Sequence, residues 1–327
     1  MENGQEKQGR IAEVRKNSFI IAMEDRELRA RLRGGFYGED AEARPVVGDY
    51  VRFLENPDGD SVIQRVCERR SLLRRPDQAK TGVMQYMAAN ADCCFIVTSL
   101  NEDYSYNRIA RYASIALQGG SVPVAVLTKA DLCADVDRYV REVQTVSPQL
   151  RVHPVSALLG TGLEELEQYF QPGKTICLMG SSGAGKSTLI NTLAGEEIMR
   201  TGEIRASDST GKHTTTHRQL LRLPGGVYVI DTPGMREVGM AGTAEGIDRT
   251  FSDILDLENR CRFRNCRHDT EPGCAVKAAI ARGELSRERL ALYQSLGAEN
   301  ARNYAKKKEI AKWAKARKKM KEYGGND

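Results

Sequence analysis

The stretch Gly180-Ser181-Ser182-Gly183-Ala184-Gly185-Lys186-Ser187-Thr188 carries the pattern GxxxxGK[ST]. An apolar run, Thr175–Met179, precedes it, and a helix is predicted over Gly185–Ala194. In this strand, loop and helix setting, backbone N–H groups of the glycine-rich loop cradle phosphates. Lys186 then supplies a cation to the β- and γ-phosphates, and the Ser187 hydroxyl binds Mg²⁺. The alternative is a glycine- and serine-rich turn without a ligand, which the flanking strand and helix disfavour.

A second phosphate-site motif, Asp231-Thr232-Pro233-Gly234, follows the apolar run Val227–Ile230. A P-loop enzyme needs a carboxylate partner for Mg²⁺ at the carboxyl end of such a strand. The sequence therefore assigns Asp231 to the metal and the N–H of Gly234 to the γ-phosphate. A DTPG string alone would also suit a tight turn, but its position after the phosphate-binding loop favours the functional interpretation.

Two further segments indicate guanine as the base. Thr128-Lys129-Ala130-Asp131 ends the apolar run Val122–Leu127 and resembles the NKxD motif of GTPases. The Asp131 carboxylate is predicted to accept from N1–H and the N2 amine of guanine, a pair of donors that adenine lacks. Thr128 replaces the asparagine of that motif, which predicts weaker bracing of the loop. Ser156-Ala157 resembles the short motif whose backbone N–H contacts the guanine oxygen.

A hydroxyl-rich segment, Gly211–His217, lies between the phosphate-binding loop and the DTPG string. One threonine there, Thr215 in preference to Thr214, is predicted to bind Mg²⁺ and sense the γ-phosphate. Met235 stands where many GTPases carry the glutamine that orients the attacking water, so another group must act or hydrolysis is slow. His213 is a candidate for that role, and a binding role for it is an equal alternative.

Four regions follow from the pattern of apolar runs. Residues 1–67 alternate short apolar runs with charged turns, which predicts a small antiparallel all-β barrel. Residues 68–82 are too basic and polar for a core element and are predicted to form a linker. Residues 83–240 alternate strands with helix-length segments, which indicates an α/β fold with a parallel sheet. Residues 241–327 lack strands and combine a cysteine cluster with predicted helices.

The order of the motifs indicates a circular permutation. Ordinary GTPases run from the phosphate-binding loop through the switch threonine and DxxG to NKxD and SA, whereas here the guanine motifs come first. The same P-loop GTPase sheet can close in either order. The DTPG switch then leads directly into the C-terminal module, and the barrel enters at the opposite end. Nucleotide state could thus bias both modules.

A metal site is predicted from the spacing Cys261-x4-Cys266-x-His268-x5-Cys274. Three thiolates and one imidazole form a complete tetrahedral set for one structural Zn²⁺ in a C-terminal α-helical module. Disulfides are the alternative, disfavoured in a reducing compartment. The remaining cysteines are expected to be reduced. Three arginines among the ligands are predicted to face outward toward RNA. They are Arg262, Arg264 and Arg267.

Bulk composition favours a cytoplasmic protein. Hydrophobic residues make up 40% and charged residues 28% of the 327-residue chain. No apolar run approaches the roughly 18 to 20 residues that span a bilayer. The N-terminal sequence MENGQEKQGR lacks the apolar core of a secretory signal. We therefore expect no membrane partner.

The C-terminal tail concentrates positive charge. Between Arg302 and Glu322 the chain has ten lysines or arginines and two glutamates, although the formal net charge of the whole chain is only +5. Tyr304, Trp313 and Tyr323 are interleaved with these cations, a pattern that suits binding of phosphates and stacking on bases. Docking of Trp313 on its own domain is an equal alternative.

The sequence resembles the bacterial ribosome small-subunit-dependent GTPases, a circularly permuted family of late small-subunit maturation, over nearly the whole chain. Besides the permuted motifs and the cysteine cluster, the resemblance rests on Arg44–Asp49 (RPVVGD), Ala88–Asp92 (AANAD) and Lys212–Thr216 (KHTTT). It implies an OB-fold for the barrel and zinc at the four cluster residues. It also implies GTP and GDP as ligands, the small ribosomal subunit and its rRNA as partners, and hydrolysis stimulated by that subunit.

Three functions are compatible with the residues. The favoured one is a GTPase that binds the small subunit, hydrolyses GTP when docked and then leaves, as a checkpoint or release factor. The second is a non-catalytic GTP-sensing RNA-binding regulator, suggested by Met235. The third, a P-loop ATPase acting on DNA, is disfavoured by Asp131 and Ser156-Ala157. A monomer is expected.

Overall fold

A computed structural model describes residues 6–16, 18–34, 41–77, 83–101, 103–199, 218–232, 239–240, 242–303 and 305 of the chain. Its first module is a closed barrel of five strands. These are β1 Lys7–Val14, β2 Phe19–Ala22, β3 Glu27–Leu32, β4 Tyr50–Leu54 and β5 Ser61–Val66. Apolar side chains at alternate positions fill it, with Ile11, Ile21 and Phe53 fully buried. The predicted barrel is confirmed.

The barrel differs from the prediction in one pairing. β1 pairs antiparallel with β2 and β4, and β4 with β5, but β3 and β5 are parallel. A closed ring with an odd number of strands cannot alternate direction all the way round, so at least one neighbouring pair must be parallel. The predicted antiparallel barrel therefore contains one parallel pair, β3 with β5.

A two-stranded antiparallel sheet follows the barrel. It pairs β6, Leu72–Pro76, with β7, Met84–Ala89. The structure here differs from the linker predicted over residues 68–82, because Leu73 is fully buried and the N–H of Leu72 donates to the carbonyl of Gly119 at 2.9 Å. Two leucines are enough to anchor a strand whose other residues are arginine and proline.

The central sheet has parallel strands in the order β10-β9-β8-β11-β13, with the short strand β12 antiparallel to β13. The predicted parallel sheet is confirmed. Its strands are β8 Cys93–Ser99, β9 Val122–Thr128, β10 Arg151–Pro154, β11 Thr175–Met179, β12 Gln219–Arg222 and β13 Tyr228–Asp231. Strand β1 of the barrel pairs with β12 through Glu13 and Gln219, so barrel and central sheet are continuous.

Helices lie on both faces of the central sheet and also build the C-terminal module. They are α1 Tyr106–Gln118, α2 Val136–Gln144, α3 Lys186–Ala194, α4 Ala244–Thr250, α5 Ser252–Glu258 and α6 Ala275–Ala281, followed by α7 over residues 287–303. Short 3₁₀ turns lie at Ala41–Ala43, Ala130–Leu132, Glu164–Tyr169 and Pro224–Gly226. Alternate residues of β11 enter two cores: Cys177 and Met179 share one with α1, and Ile176 and Leu178 share the other with α3. Within the described ranges, no helix combines the length and apolar character needed to cross a bilayer.

The C-terminal module packs on α1, and helix α4 makes this contact. Gly246 in α4 lies so close to α1 that a Cβ there would be 2.0 Å from the Ser114 carbonyl oxygen. The Ser114 and Thr250 hydroxyls are hydrogen-bonded at 2.9 Å, and Arg249 donates to the Leu117 carbonyl at 2.8 Å. Helix α1 is therefore shared between the central sheet and the C-terminal module.

Candidate nucleotide and metal sites

The phosphate-binding loop connects β11 to α3, as the sequence predicts. Gly180 has φ 156°, and a Cβ there would be 2.3 Å from the Val97 carbonyl oxygen, so only glycine fits. Gly185 has φ 89° and turns the chain into α3. Lys186 is buried, and its Nζ donates to the carbonyls of Gly180 at 3.0 Å and Ser181 at 2.7 Å. The loop is preformed, with its lysine inside it.

Thr128 joins the guanine-reading segment to the phosphate-binding loop. Its side chain is buried, and Oγ1 donates to the carbonyl of Ala184 at 2.6 Å. The replacement of asparagine by threonine therefore retains a brace between the two loops, where the sequence predicted weaker bracing. The two residues that make this contact are 56 positions apart in the chain.

The two guanine-reading loops lie side by side at the carboxyl ends of β9 and β10. The N–H of Ala130 donates to the Val155 carbonyl at 3.1 Å, immediately before Ser156-Ala157. Lys129 has φ 59°, a left-handed conformation uncommon for a residue with a side chain. Asp131 is exposed to solvent, and Ser156 is buried. The arrangement leaves the Asp131 carboxylate accessible to a base.

The structure places Asp231 at the end of β13, beside the strand that enters the phosphate-binding loop. Leu178 of β11 is its register partner. Thr232 is fully buried, and its hydroxyl donates to the Leu178 carbonyl. The predicted sites at His213, Thr215 and Gly234, and the tail aromatics, lie outside the described residues.

Sequence reasoning missed one residue at the phosphate-binding loop. Asp103, in the loop after β8, accepts a hydrogen bond from the Ser181 hydroxyl, and its Oδ2 is 3.1 Å from Nη2 of Arg108 in α1. No local motif marks it, because its partner in the phosphate-binding loop is 78 residues away. Its position after a strand of the sheet was the available signal, since such loops converge at the carboxyl edge.

The four predicted metal ligands converge. Ligand atoms of Cys261, Cys266, His268 and Cys274 all lie within 4.8 Å of one another. Nδ1 of His268 faces the sulfurs, 3.4 Å from Sγ of Cys274, while Nε2 is 2.8 Å from a carboxylate oxygen of Glu258. A carboxylate behind a ligand histidine fixes the ring and its tautomer. Sequence reasoning missed Glu258, although it precedes the first cysteine by one helical turn.

Local electrostatics differ between two of these cysteines, because burial raises the pKa of the Cys266 thiol to about 11 whereas the pKa of Cys261 is lowered. Burial opposes ionisation of Cys261, but backbone N–H groups of Val276 and Ala275 at the start of α6 outweigh it and lower the pKa of its thiol. Backbone N–H groups, chiefly that of Arg267 and also that of Asp269, lower the pKa of Glu271 to about 2. The donor set fits a tetrahedral metal ion.

The outer face of the cluster is basic. Arg262, Arg264 and Arg267 are exposed, as predicted. Phe263 is 41% exposed, and the Arg262 guanidinium lies 5.5 Å from its ring centroid. This surface combines positive charge with an accessible aromatic ring, which suits contact with nucleic acid.

Comparison with known proteins agrees with this geometry. The RsgA GTPase family model matches residues 66–241. The small ribosomal subunit biogenesis GTPase RsgA of Methanosarcina acetivorans is 40% identical over 289 residues, covering 88% of this chain and 78% of that protein. RsgA 2 of Listeria monocytogenes is 43% identical over 279 residues, which cover 85% of this chain and 79% of that protein.

Solved structures share the fold. YjeQ from Thermotoga maritima is 29% identical with a TM-score of 0.68, covering 91% of this chain and 99% of its own. YloQ, described as a circularly permuted GTPase, has a TM-score of 0.63 at 23% identity, and the match covers 92% of this chain and 98% of the YloQ chain. The predicted permutation and family resemblance are confirmed. The chain belongs to the RsgA GTPase family, whose members are GTP-hydrolysing enzymes.

Proposed function

We propose that this protein binds the small ribosomal subunit, hydrolyses GTP when docked and acts as a late maturation or checkpoint factor. The observation that carries the proposal is the joining of the phosphate-binding and guanine-reading loops by the bond from Thr128 to Ala184. This joined site occurs in a chain 40% identical to a protein named a small ribosomal subunit biogenesis GTPase.

Within this proposal the site residues have separate roles. Lys186 would neutralise the β- and γ-phosphates and Ser187 would bind Mg²⁺, while the Asp231 carboxylate would contact the ion indirectly, behind its direct ligands. Asp131 selects guanine. Outside the described residues, Thr215 is proposed to complete the metal site, Gly234 to contact the γ-phosphate and His213 to place the attacking water. The aliphatic stem of Lys129 would pack along the base plane, and the remaining residues of the two guanine loops and of Gly180–Thr188 would supply backbone contacts.

We propose Zn²⁺ as the metal of the cysteine cluster, because three thiolates and one imidazole suit that ion. One ion held by Cys261, Cys266, His268 and Cys274 would be structural, with no position left for substrate. The exposed arginines around it, the barrel and the basic tail are the proposed contacts with rRNA. The protein is proposed to be cytoplasmic and monomeric, the latter checked by light scattering of the metal-loaded protein.

The test of the proposed function is the GTP turnover rate of the protein alone and with small subunits, large subunits or bulk RNA, with ATP as the control nucleotide. Stimulation by small subunits alone supports the docked mechanism. Equal slow rates in every mixture contradict it and favour a nucleotide-sensing binder.

The assignment of the phosphate-binding loop is tested separately. Lys186→Ala and Ser187→Ala should each abolish most hydrolysis without unfolding the protein, because each removes a phosphate or Mg²⁺ contact. Far-UV circular dichroism checks the fold of both variants. Unchanged turnover in either one contradicts the assignment.

A further inference from the structure

The hydrogen bond between Asp103 and Ser181 connects the phosphate-binding loop to α1. Ser181 is 3% exposed, and its hydroxyl donates to Oδ2 of Asp103. The same oxygen pairs with Arg108 at 3.1 Å, and the N–H of Arg108 is capped by the Ser105 hydroxyl at 3.3 Å. The carboxylate therefore holds the phosphate-binding loop with one contact and the first turn of α1 with the other.

Ser181 also contacts the lysine that the reaction uses. Its backbone carbonyl accepts a hydrogen bond from Nζ of Lys186 at 2.7 Å. Asp103 holds the side chain of Ser181, and Lys186 contacts its main chain. A displacement of Ser181 would therefore move the ammonium group relative to the β- and γ-phosphates.

Helix α1 has little freedom at its other contacts. Arg111 forms an ion pair with Glu299 of α7 at 2.6 Å. The close approach of Gly246 to the Ser114 carbonyl leaves no space for α4 to shift toward α1. The N–H of Gly246 also donates to the Gln118 side chain at 3.0 Å. Motion of the C-terminal module is thus transmitted to α1 as motion of a rigid unit.

We propose that Asp103 is a positioning residue that couples the C-terminal module to the phosphate-binding loop through α1. Its carboxylate fixes Ser181, and through Ser181 the approach of Lys186 to phosphate. Nucleotide binding at the phosphate-binding loop would then restrain α4, and displacement of α4 would move Lys186 relative to the phosphates. The inference rests on GTP hydrolysis and is independent of the proposed ribosomal partner.

The first experiment measures kcat and KM for intrinsic GTP hydrolysis in Asp103→Ala, Ser181→Ala and the double variant. We expect kcat to fall about 10- to 100-fold in each single variant, since small misplacements of a catalytic group have effects of this size. KM should change less than about threefold, as expected for loss of an interaction used in the transition state. The double variant should be no slower than the slower single variant, because both substitutions break one contact.

Two further variants separate positioning from stability. Asp103→Asn keeps an oxygen for Ser181 but loses the charge facing Arg108, and we expect it to recover part of kcat. Glu284→Gln removes an exposed carboxylate that pairs only with the exposed side chain of Arg282 among the contacts the structure shows for it, at 2.7 Å, and should leave kcat and KM unchanged. The proposal would be overturned if the loss of kcat in the double variant equalled the product of the two single losses. It would also be overturned if the loss of kcat in each variant matched the fraction of that variant that is unfolded.

The coupling is measured directly by amide hydrogen exchange with and without GDP. In the wild-type protein GDP should slow exchange in α3, α1 and α4, whereas in Asp103→Ala the slowing should remain in α3 and disappear from α4. Retained slowing in α3 shows that the variant still binds GDP. Slowing of α4 that persists in Asp103→Ala, or is absent from the wild type, contradicts the coupling.

Discussion

At the scale of single residues, the Thr128 hydroxyl is the group whose removal tests the nucleotide site most directly. Thr128→Val keeps the shape but leaves the Ala184 carbonyl without its bond of 2.6 Å. An unsatisfied buried carbonyl costs about 1–3 kcal/mol, so we expect about tenfold weaker GDP binding, measured by titration calorimetry. Thr128→Ser keeps the hydroxyl and should bind within about threefold of wild type. Equal binding by the valine and serine variants would show that the brace does not support the site.

Glu258 permits a similar test of the metal cluster. Glu258→Gln weakens the carboxylate contact with Nε2 of His268, now 2.8 Å. Removing such a partner typically lowers metal affinity about 10- to 100-fold, and competition with a chromogenic chelator measures it. Tyr293→Phe is the control, because the Tyr293 hydroxyl reaches the other carboxylate oxygen only at 3.4 Å. If both variants bind zinc as wild type does, Glu258 has no part in holding the ligand.

Residues within short motifs were predictable because their chemistry is local. Lys186 and Asp131 belong to segments in which spacing alone predicts a role, and the cysteine spacing identified the four residues that the structure brings together as a possible metal site. Asp103 was not predictable in this way, since its function depends on a loop far along the chain. The role of Thr128 required the same long-range contact, which no pattern within its own segment reveals.

At the scale of secondary-structure elements, alanine substitutions of two helical glycines should have opposite effects on stability. Gly246 lies in the contact of α4 with α1, whereas Gly297 lies in α7 with open space around it. Gly246→Ala would place a Cβ 2.0 Å from the Ser114 carbonyl oxygen, so α4 must move away from α1. We expect a loss of about 3 kcal/mol in the free energy of unfolding, measured by urea denaturation. Gly297→Ala in α7 meets nothing within 4 Å and should stabilise by up to about 1 kcal/mol through helix propensity. Similar values for the two variants would contradict the tight packing.

Elements with strong periodicity were predicted closely. The helix predicted over Gly185–Ala194 differs by one residue from α3, Lys186–Ala194. Strand β6 was missed because its arginines outweigh Leu72 and Leu73 in any local measure of polarity, whereas burial of Leu73 against neighbouring elements decides the fold. The parallel pairing of β3 with β5 follows from closure of the barrel, which is a property of the whole ring and not of either strand.

At the scale of the whole molecule, removal of the metal should loosen the C-terminal module and leave the nucleotide site at the central sheet intact. Cys261 follows α5 and Cys274 caps α6, so the metal would join these two short helices. Chelation with EDTA, followed by return to Mg²⁺ buffer free of Zn²⁺, should make residues 259–274 sensitive to protease, while GDP binding at the central sheet persists. Mass spectrometry of the fragments locates the cleavage. Simultaneous loss of GDP binding would mean that the module is required for the nucleotide site.

Arg10 links the barrel to the central sheet. Its guanidinium lies between the rings of Tyr50 and Tyr228, 5.0 and 4.7 Å from their centroids. It donates to the carbonyl of Gly48 at 3.1 Å and to the hydroxyl of Thr175 at 2.7 Å, the first residue of β11. Burial lowers the pKa of Arg10, yet arginine remains charged at neutral pH. One side chain therefore joins two strands of different modules.

Arg10→Met should separate the unfolding of the barrel from that of the central sheet. The substitution leaves the Thr175 hydroxyl without the donor at 2.7 Å and removes one of two hydrogen bonds to the Gly48 carbonyl, which still accepts from the Asn90 amide at 3.1 Å. We expect the free energy of unfolding to fall by about 2 kcal/mol, and we expect calorimetry to show one transition for the wild type and two for the variant. Arg10→Lys should not restore the single transition, because an ammonium lacks the planar guanidinium that stacks between two rings.

Arg29→Met is the control, since this side chain is 65% exposed and its ion pair with Asp60 at 3.3 Å contributes little. A single transition in Arg10→Met would show that the β1–β12 pairing alone couples the two modules.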